Sequence, residues 1–250
     1  MPQVPFENVD FYFAPELDEA SEQLELRGDE VRHLARAARH RIGDVVGLTN
    51  GRGLVATARV EAIGRDRALL TVLECFPGHG EPPLKLTLGV GMISPNRLEW
   101  LVEKAVEIGV AEIVPLVTER SERRRSVRLE RLRRIAVAAT KQCQRAVVPE
   151  ISGPVNLSEF TTSGSENDVA ILAEPAGTRD VASALRQQAV PEGVSRSARV
   201  LVGPEGGFSP PETDLALSSG FVPVSLGARR LRTETAALHL SILLLNIRAR

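Results

Sequence analysis

Six consecutive residues, Gly203, Pro204, Glu205, Gly206, Gly207 and Phe208, put three glycines within five positions. Glycine has no Cβ, so a backbone of this kind comes close to a ligand and presents unblocked N–H groups. Pro210 and Pro211 then start a helix, with Glu212 and Asp214 in its first turn. The chemistry that fits is narrow. The chain has no Gly-x-x-x-x-Gly-Lys-Ser/Thr loop and no Gly-x-Gly-x-x-Gly fingerprint, and Glu205 in the cradle would repel a phosphate. A ligand with a neutral or cationic part suits the loop better than a polyphosphate. A plain strand-to-helix turn is the alternative that glycine content alone leaves open.

Residues 225–236 form a second unusual loop, Ser-Leu-Gly-Ala-Arg-Arg-Leu-Arg-Thr-Glu-Thr-Ala. Gly227 allows a sharp turn after a strand, and Thr233 suits the N-cap of a closing helix. A solvated turn would account for Arg229, Arg230 and Arg232. Against that stands position: the two glycine-bearing loops follow consecutive strand candidates, which lets them meet at one edge of a sheet. A third feature is basic. Arg120, Arg123, Arg124 and Arg125 lead into a helix over 127–144. At about 100° per residue, Leu129, Leu132, Ala136, Ala139 and Cys143 share one face, and Arg128, Arg131, Arg134, Lys141 and Arg145 another. Such a face is usually solvated, but here it lies in the one net-positive part of the chain.

The elements that must position these residues fall into two patterns. In residues 1–76, the β-branched-rich runs 44–49 and 54–63 flank Asn50-Gly51, which predicts a tight hairpin. A second hairpin turns at 64–66 before 68–73, and a short helix spans 29–39 with Val31, Leu34, Ala35 and Ala38 at helical spacing. The segment 77–83, Pro-Gly-His-Gly-Glu-Pro-Pro, breaks every regular pattern, dividing the chain into domains 1–80 and 81–250. Beyond it, buried-type strands at 86–93, 111–117, 169–173, 199–202 and 221–226 alternate with helices at 95–108, 127–144, 180–188, 211–218 and 233–247. This alternation is the mark of an α/β fold with a mostly parallel sheet, whose function sits in loops at the carboxyl ends of the strands. Stretches 161–168 and 191–198 read as polar loops. The last helix, apolar nearly all round, implies burial on more than one side, in this core or against a second subunit.

Composition bounds the function. Net charge is −1 over 250 residues, which argues against a uniformly basic nucleic-acid binder. The distribution is uneven: residues 84–150 carry 13 Lys+Arg against 8 Asp+Glu, and residues 1–80 carry 9 against 13. The middle segment is therefore the natural contact for a polyanion. Two cysteines, Cys75 and Cys143, lack metal-ligand spacing, and no apolar run reaches the length of a membrane span. The expectations are no metal, no membrane and a cytoplasmic location.

Taken together and in order, these residues resemble the RsmE family of the SPOUT class, which methylates N3 of a uridine in small-subunit (16S) ribosomal RNA. The resemblance covers nearly all of 84–250. It is carried by Asn96-Arg-Leu-Glu-Trp-Leu-Val-Glu-Lys-Ala-Val-Glu-Ile-Gly-Val110, Pro115-Leu-Val-Thr-Glu-Arg-Ser121, Gln142-Cys-Gln-Arg145 with Val148-Pro149, Leu172-Ala-Glu-Pro175, Val202-Gly-Pro-Glu-Gly-Gly-Phe208 and Leu226-Gly-Ala-Arg-Arg-Leu-Arg-Thr-Glu-Thr-Ala236. Residues 33–34 and 41–44 resemble more loosely the family's PUA-like RNA-binding barrel. Two positions depart from the pattern: Phe11-Tyr12-Phe13 lacks a preceding arginine, and Cys143 stands where the family has serine. The resemblance implies a trefoil-knotted sheet, a homodimer and S-adenosyl-L-methionine as cofactor. It puts the cofactor among Leu172, Glu174, Val202, Gly203, Pro204, Glu205, Gly206, Gly207, Leu226, Gly227, Leu231, Arg232 and Thr233, with Ala236 beneath.

In that reading the sulfonium already activates the methyl group, and the protein aligns it with the uridine nitrogen and helps remove the N3 proton. Arg232 is the expected catalytic residue, with Glu205 or Glu234 assisting proton removal. Arg120, Arg123, Arg124, Arg128, Arg131, Arg134 and Arg145 are the expected phosphate contacts. Two rivals are a non-catalytic ribosome-assembly protein that binds RNA, which needs neither glycine loop, and a methyltransferase of the same class with another target. Fold alone does not separate the last from the first.

Overall fold

A computed structural model describes residues 6, 9–121, 127–164, 169–175, 177, 179–187 and 197–246. The chain divides into two compact units, one of residues 1–81 with 137–148, the other of residues 82–136 with 149–250.

In the first unit, β1 (Phe11–Phe13), β2 (Gln23–Arg27), β3 (Val45–Thr49), β4 (Leu54–Ile63) and β5 (Arg67–Pro77) form a sheet in the order β1-β3-β4-β5-β2. All pairings are antiparallel except β1 with β3. Along β4 the side chains of Ala56, Ala58 and Val60 are buried while Arg59 and Glu61 are exposed, the two-residue period of a half-buried strand. They pack with Tyr12, Leu48 and Leu70 in one core. The predicted two-residue Asn-Gly turn is a four-residue loop instead. Gly51 and Gly53, not Asn50, take positive φ, at 70° and 112°. The Asn50 carboxamide oxygen accepts from the Arg52 and Leu54 N–H groups at 2.7 and 3.1 Å, so the asparagine anchors the loop rather than turning it. The helix predicted over 29–39 is α1 (Asp29–Arg32) running into a π-helical stretch, His33–Ala37, and ending before Arg39 at φ 59°.

The second unit is built on β6 (Lys85–Gly91), β7 (Glu112–Val117), β8 (Glu150–Ile151), β9 (Val155–Asn156), β10 (Val169–Ala173), β11 (Ser197–Val202) and β12 (Val222–Val224). Their order is β12-β10-β11-β6-β7-β8, with β9 also against β7, and every pairing is parallel. The strands are apolar nearly throughout, as a sheet covered on both faces requires. Helices α2 (Pro95–Glu107), α4 (Leu157–Thr162), α5 (Val181–Gln187), α6 (Pro210–Ser218) and α7 (Thr233–Leu245) fall into two packing groups. One joins α7 to α2, α5, β6 and β11; the other joins α4 to α6 and β7. Helix α3 (Leu129–Gln142) begins in this unit and ends in the first. The sequence reading missed β8, β9 and α4. Thr161 and Thr162, read as the start of a polar loop, close α4, whose Asn156–Glu159 capping box is formed.

Candidate active site

Because β6, β7, β10, β11 and β12 are parallel, their carboxyl ends lie along one edge. Ala173 at the end of β10 is level with Val202 of β11 and Val224 of β12, and Val202 with Val90 of β6. The loops after β11 and β12 thus share an edge with the loop of Glu174 between them. They are also bonded directly: the Thr233 hydroxyl donates to the Gly203 carbonyl at 3.0 Å. Thr233 was expected as the N-cap of the last helix. The N-cap is Arg232, with extended backbone (φ −72°, ψ 156°), and Thr233 is the first helical residue, its hydroxyl given to the glycine loop.

At Gly203 and Gly91 the space a side chain would need is already occupied. A Cβ on Gly203 would stand 3.1 Å from Gly207 Cα and from the Phe208 nitrogen, and one on Gly91 only 2.4 Å from the Pro204 ring and nitrogen. Gly207, at φ 70°, donates to the Pro204 carbonyl at 2.8 Å and has nothing within 4 Å of an added Cβ. The loop is crowded on its protein side at Gly203 and open at Gly207, the shape of a backbone cradle. Leu172 and Val202 have side chains 0% and 3% exposed, so they face the protein interior. Leu226, Leu231 and Ala236 are half-buried and Gly227, at φ 102°, is exposed.

Arg120 braces this loop. Its Nη1 donates to the Gly206 carbonyl at 2.8 Å and the Phe208 carbonyl at 3.2 Å, and a Cβ on Gly206 would press on the Arg120 stem at 3.2 Å. Glu212 adds a second tie, accepting from the Ser209 N–H at 2.9 Å and the Glu119 N–H at 2.7 Å. Arg97, in the first turn of α2, pairs with Glu205, and its Nε lies 3.8 Å from Glu234. Both expected proton acceptors therefore face a guanidinium that the sequence reading did not single out. The signal was there: a cation in the first turn of a helix opposes the helix dipole, so it needs an anion close by. Glu234 is 7% exposed and its Oε2 has no hydrogen-bond partner. Arg232 is exposed, and its side chain makes no hydrogen bond or ion pair among the described residues.

The arginines expected at phosphates are not alike. Arg128 and Arg134 are exposed on α3 and its approach, with Arg134 Nε 3.4 Å from the Glu130 carbonyl. Arg131 forms a fork with Glu99, one arm at 2.7 Å, and these bonds hold the Glu99 carboxyl below its ordinary range. Arg145 corrects the helical-face reading. α3 stops at Gln142 and Gln144 is left-handed at φ 60°, so Arg145 leaves the helix period. It is 2% exposed, its Nε and Nη2 donating to Glu81 at 3.2 and 2.6 Å; buried there, it does not present its charge to a phosphate. Arg123 and Arg124 lie outside the described residues. Among the described residues no group of three or more His, Cys, Asp or Glu could hold a metal, and no helix is long and apolar enough to cross a membrane.

The model of an RNA methyltransferase domain matches residues 80–245, and that of an RNA methyltransferase PUA domain residues 26–73. Ribosomal RNA small subunit methyltransferase E of Rickettsia conorii is 30% identical over 221 residues, 86% of each chain. That of Mycobacterium bovis is 31% identical over 224 residues, 84% of this chain and 81% of its own. The crystal structure of a ribosomal RNA small subunit methyltransferase E from Neisseria gonorrhoeae bound to S-adenosyl methionine is similar at TM-score 0.84 and 28% identity, covering 94% of this chain and 96% of that one. With matches of this extent and a sheet edge of the geometry just described, the chain belongs to the ribosomal RNA small subunit methyltransferase E family.

Proposed function

We propose that the chain transfers the methyl group of S-adenosyl-L-methionine to N3 of a specific uridine in small-subunit (16S) ribosomal RNA. The observation that carries this reading is the single sheet edge where a glycine cradle, open at Gly207, is bonded through Thr233 to the loop of Arg232. The cradle fits the cofactor: it offers backbone to the ligand, and the guanidiniums beside it, Arg97 and Arg120, are already engaged by Glu205 and by the Gly206 and Phe208 carbonyls. Residues 203–207, 226–227, 231–233, Glu174 and Ala236 hold it. When bound, it supplies a methyl group already activated on sulfur. Nothing in the protein has to act as a nucleophile. N3 lies on the Watson–Crick edge, so the uridine is bound unpaired or turned out of its helix.

Arg232 is the catalytic residue. Its planar guanidinium, without a partner among the described residues, hydrogen-bonds the uracil carbonyls flanking N3 and stabilises the negative charge that develops there as the N3 proton passes to water. Glu205 and Glu234 are turned to Arg97 and order the loop. Arg128 and Arg134 contact phosphates of the RNA, and Arg123 and Arg124 extend that basic stretch. The first unit is a PUA-like barrel that grips RNA, and the sheet of the second is threaded as a trefoil knot.

The enzyme works in the cytoplasm as a homodimer. Ile242 and Leu243 of α7 and Trp100 of α2 are 41%, 36% and 45% exposed, an apolar surface on two helices that pack on each other; a second copy covers it. Sedimentation at micromolar concentration is expected to give a dimer.

Incubating the protein with S-adenosyl-L-methionine and undermethylated small subunits, followed by nucleoside mass spectrometry, is expected to yield N3-methyluridine. A methylated ribose or guanine would move the chain to another target, and the absence of any transfer would end the enzymatic reading.

A further inference from the structure

Two carboxylates, Glu205 and Glu234, belong to the segments that carry the glycine cradle and Arg232. The Thr233–Gly203 bond ties the two acid-bearing segments together: Glu234 is two residues after Arg232, and Glu205 is two residues after Gly203. Unopposed, either acid would attract the Arg232 guanidinium and occupy the hydrogen bonds meant for substrate. That pairing is not formed. Arg97 takes Glu205 directly and approaches Glu234 at 3.8 Å, and among the described residues it is the only cation paired with either. Arg232 is left exposed and without a partner among the described residues.

The Arg97 and Glu205 side chains are 35% and 55% exposed, and an ion pair that open to water contributes little stability. Its position against the dipole of α2 makes Arg97 a poor choice for helix stability too. What the pair does is sort charge at the site.

We propose that Arg97 is a positioning residue of the transfer reaction: by engaging both Glu205 and Glu234 it keeps the Arg232 guanidinium free for the uracil carbonyls. This rests on the assignment of Arg232 to the reacting base.

The test is a set of variants read in two ways. In single-turnover methylation at saturating cofactor, Arg97→Ala is expected to be slower by about 10²-fold, the scale of a misplaced catalytic group. Arg97→Lys, which keeps the charge, is expected to recover part of the rate. Adding Glu205→Gln and Glu234→Gln to Arg97→Ala removes the competing acids and is expected to restore most of it. The second readout needs no turnover: labelling by phenylglyoxal, a guanidinium reagent, mapped by peptide mass spectrometry. Arg232 is expected to react readily in the wild type, to be protected in Arg97→Ala, and to react again in the triple variant. Should Arg97→Ala not fold, Arg97→Gln replaces it in both readouts. Unchanged Arg232 labelling in the Arg97 variants overturns the proposal whatever the enzyme's substrate. A triple variant slower than Arg97→Ala also overturns it, because one of the acids then takes part in the chemistry itself. A wild type that transfers no methyl group, yet shows the labelling pattern, defeats the assigned reaction and leaves the charge sorting standing.

Discussion

Arg145 and Arg232 both follow or precede a helix end, both belong to motif-like runs, and both read from sequence as functional. In the first unit, Arg145 is 2% exposed, forked onto Glu81, and its carbonyl receives the Thr49 hydroxyl at 3.0 Å. In the second, Arg232 is exposed and its side chain makes no hydrogen bond or ion pair among the described residues, while Arg97 takes up Glu205 and approaches Glu234. The same residue type is thus satisfied in one place and kept unsatisfied in the other. A buried guanidinium forked onto a carboxylate ties segments of a fold together. An exposed one whose donors the described residues leave unused is available to a ligand.

The contrast can be broken most forcefully at Arg145. Removing one partner of a buried ion pair leaves the other charge stranded, so Arg145→Gln is expected to cost about 3–5 kcal/mol of folding stability. Urea denaturation measures it, and transfer rates well below the melting point should be near wild type. A full loss of rate in a stable Arg145→Gln protein would erase the distinction. Arg232→Ala is expected to do the reverse. Its stability should stay within about 0.5 kcal/mol of wild type, while the single-turnover rate falls roughly 10²–10³-fold. Arg232→Lys is expected to be a poor substitute, because it loses the planar fork. If Arg232→Ala turns over normally, Arg232 leaves the catalytic list.

A smaller effect sharpens the comparison on α3. Arg128→Gln with Arg134→Gln is expected to reduce the salt slope of RNA binding by about 2, roughly one per phosphate contact. Arg131→Gln is expected to change it less, because Glu99 already takes that charge; equal slopes for all three would mean the pairing does not matter. The smallest effect concerns His79, which packs edge-on against Phe6 at 4.7 Å. Burial pushes its imidazole below the ordinary range, with Glu81 acting in the opposite direction. The unfolded chain therefore binds the proton more readily. The contribution is present above the ordinary imidazole value of about 6.5 and is lost as pH falls through the lower folded value. Urea midpoints at about pH 7.5 and 5.5 are expected to show a fall that is smaller in His79→Phe.

The long elements were legible because each carried two agreeing signals. α6 has Pro210 and a Ser209–Glu212 capping box around it, and β10 is an apolar run whose bounds, Val169–Ala173, coincide with the prediction. β8 and β9, two residues each, hold no period to read. α4 announced itself only through Asn156 and Glu159. The glycine loop was legible because three glycines stand within five positions, and at Gly203 the neighbouring backbone leaves little room for a Cβ. Arg97 was not, since its partner Glu205 lies 108 residues away and only the folded sheet edge joins them. Arg145 departs from the helical-face expectation because the helix ends at Gln142 and the left-handed Gln144 breaks its period.

The first unit closes on a segment made much later. Besides the Arg145–Glu81 fork, the Gly53 N–H reaches the Ala146 carbonyl at 2.9 Å, the Val148 N–H reaches the Gly51 carbonyl at 2.9 Å, and Lys141 Nζ reaches Glu30 at 2.7 Å. Residues 82–136 must therefore be synthesised before the ribosome can release the pieces that complete the amino-terminal fold. Until then the four-residue loop of Gly51 and Gly53 lacks its partners, and Glu81 waits without its arginine. A nascent chain arrested once residue 81 has emerged is expected to be open to protease around 50–53, and one arrested beyond residue 148 to be closed.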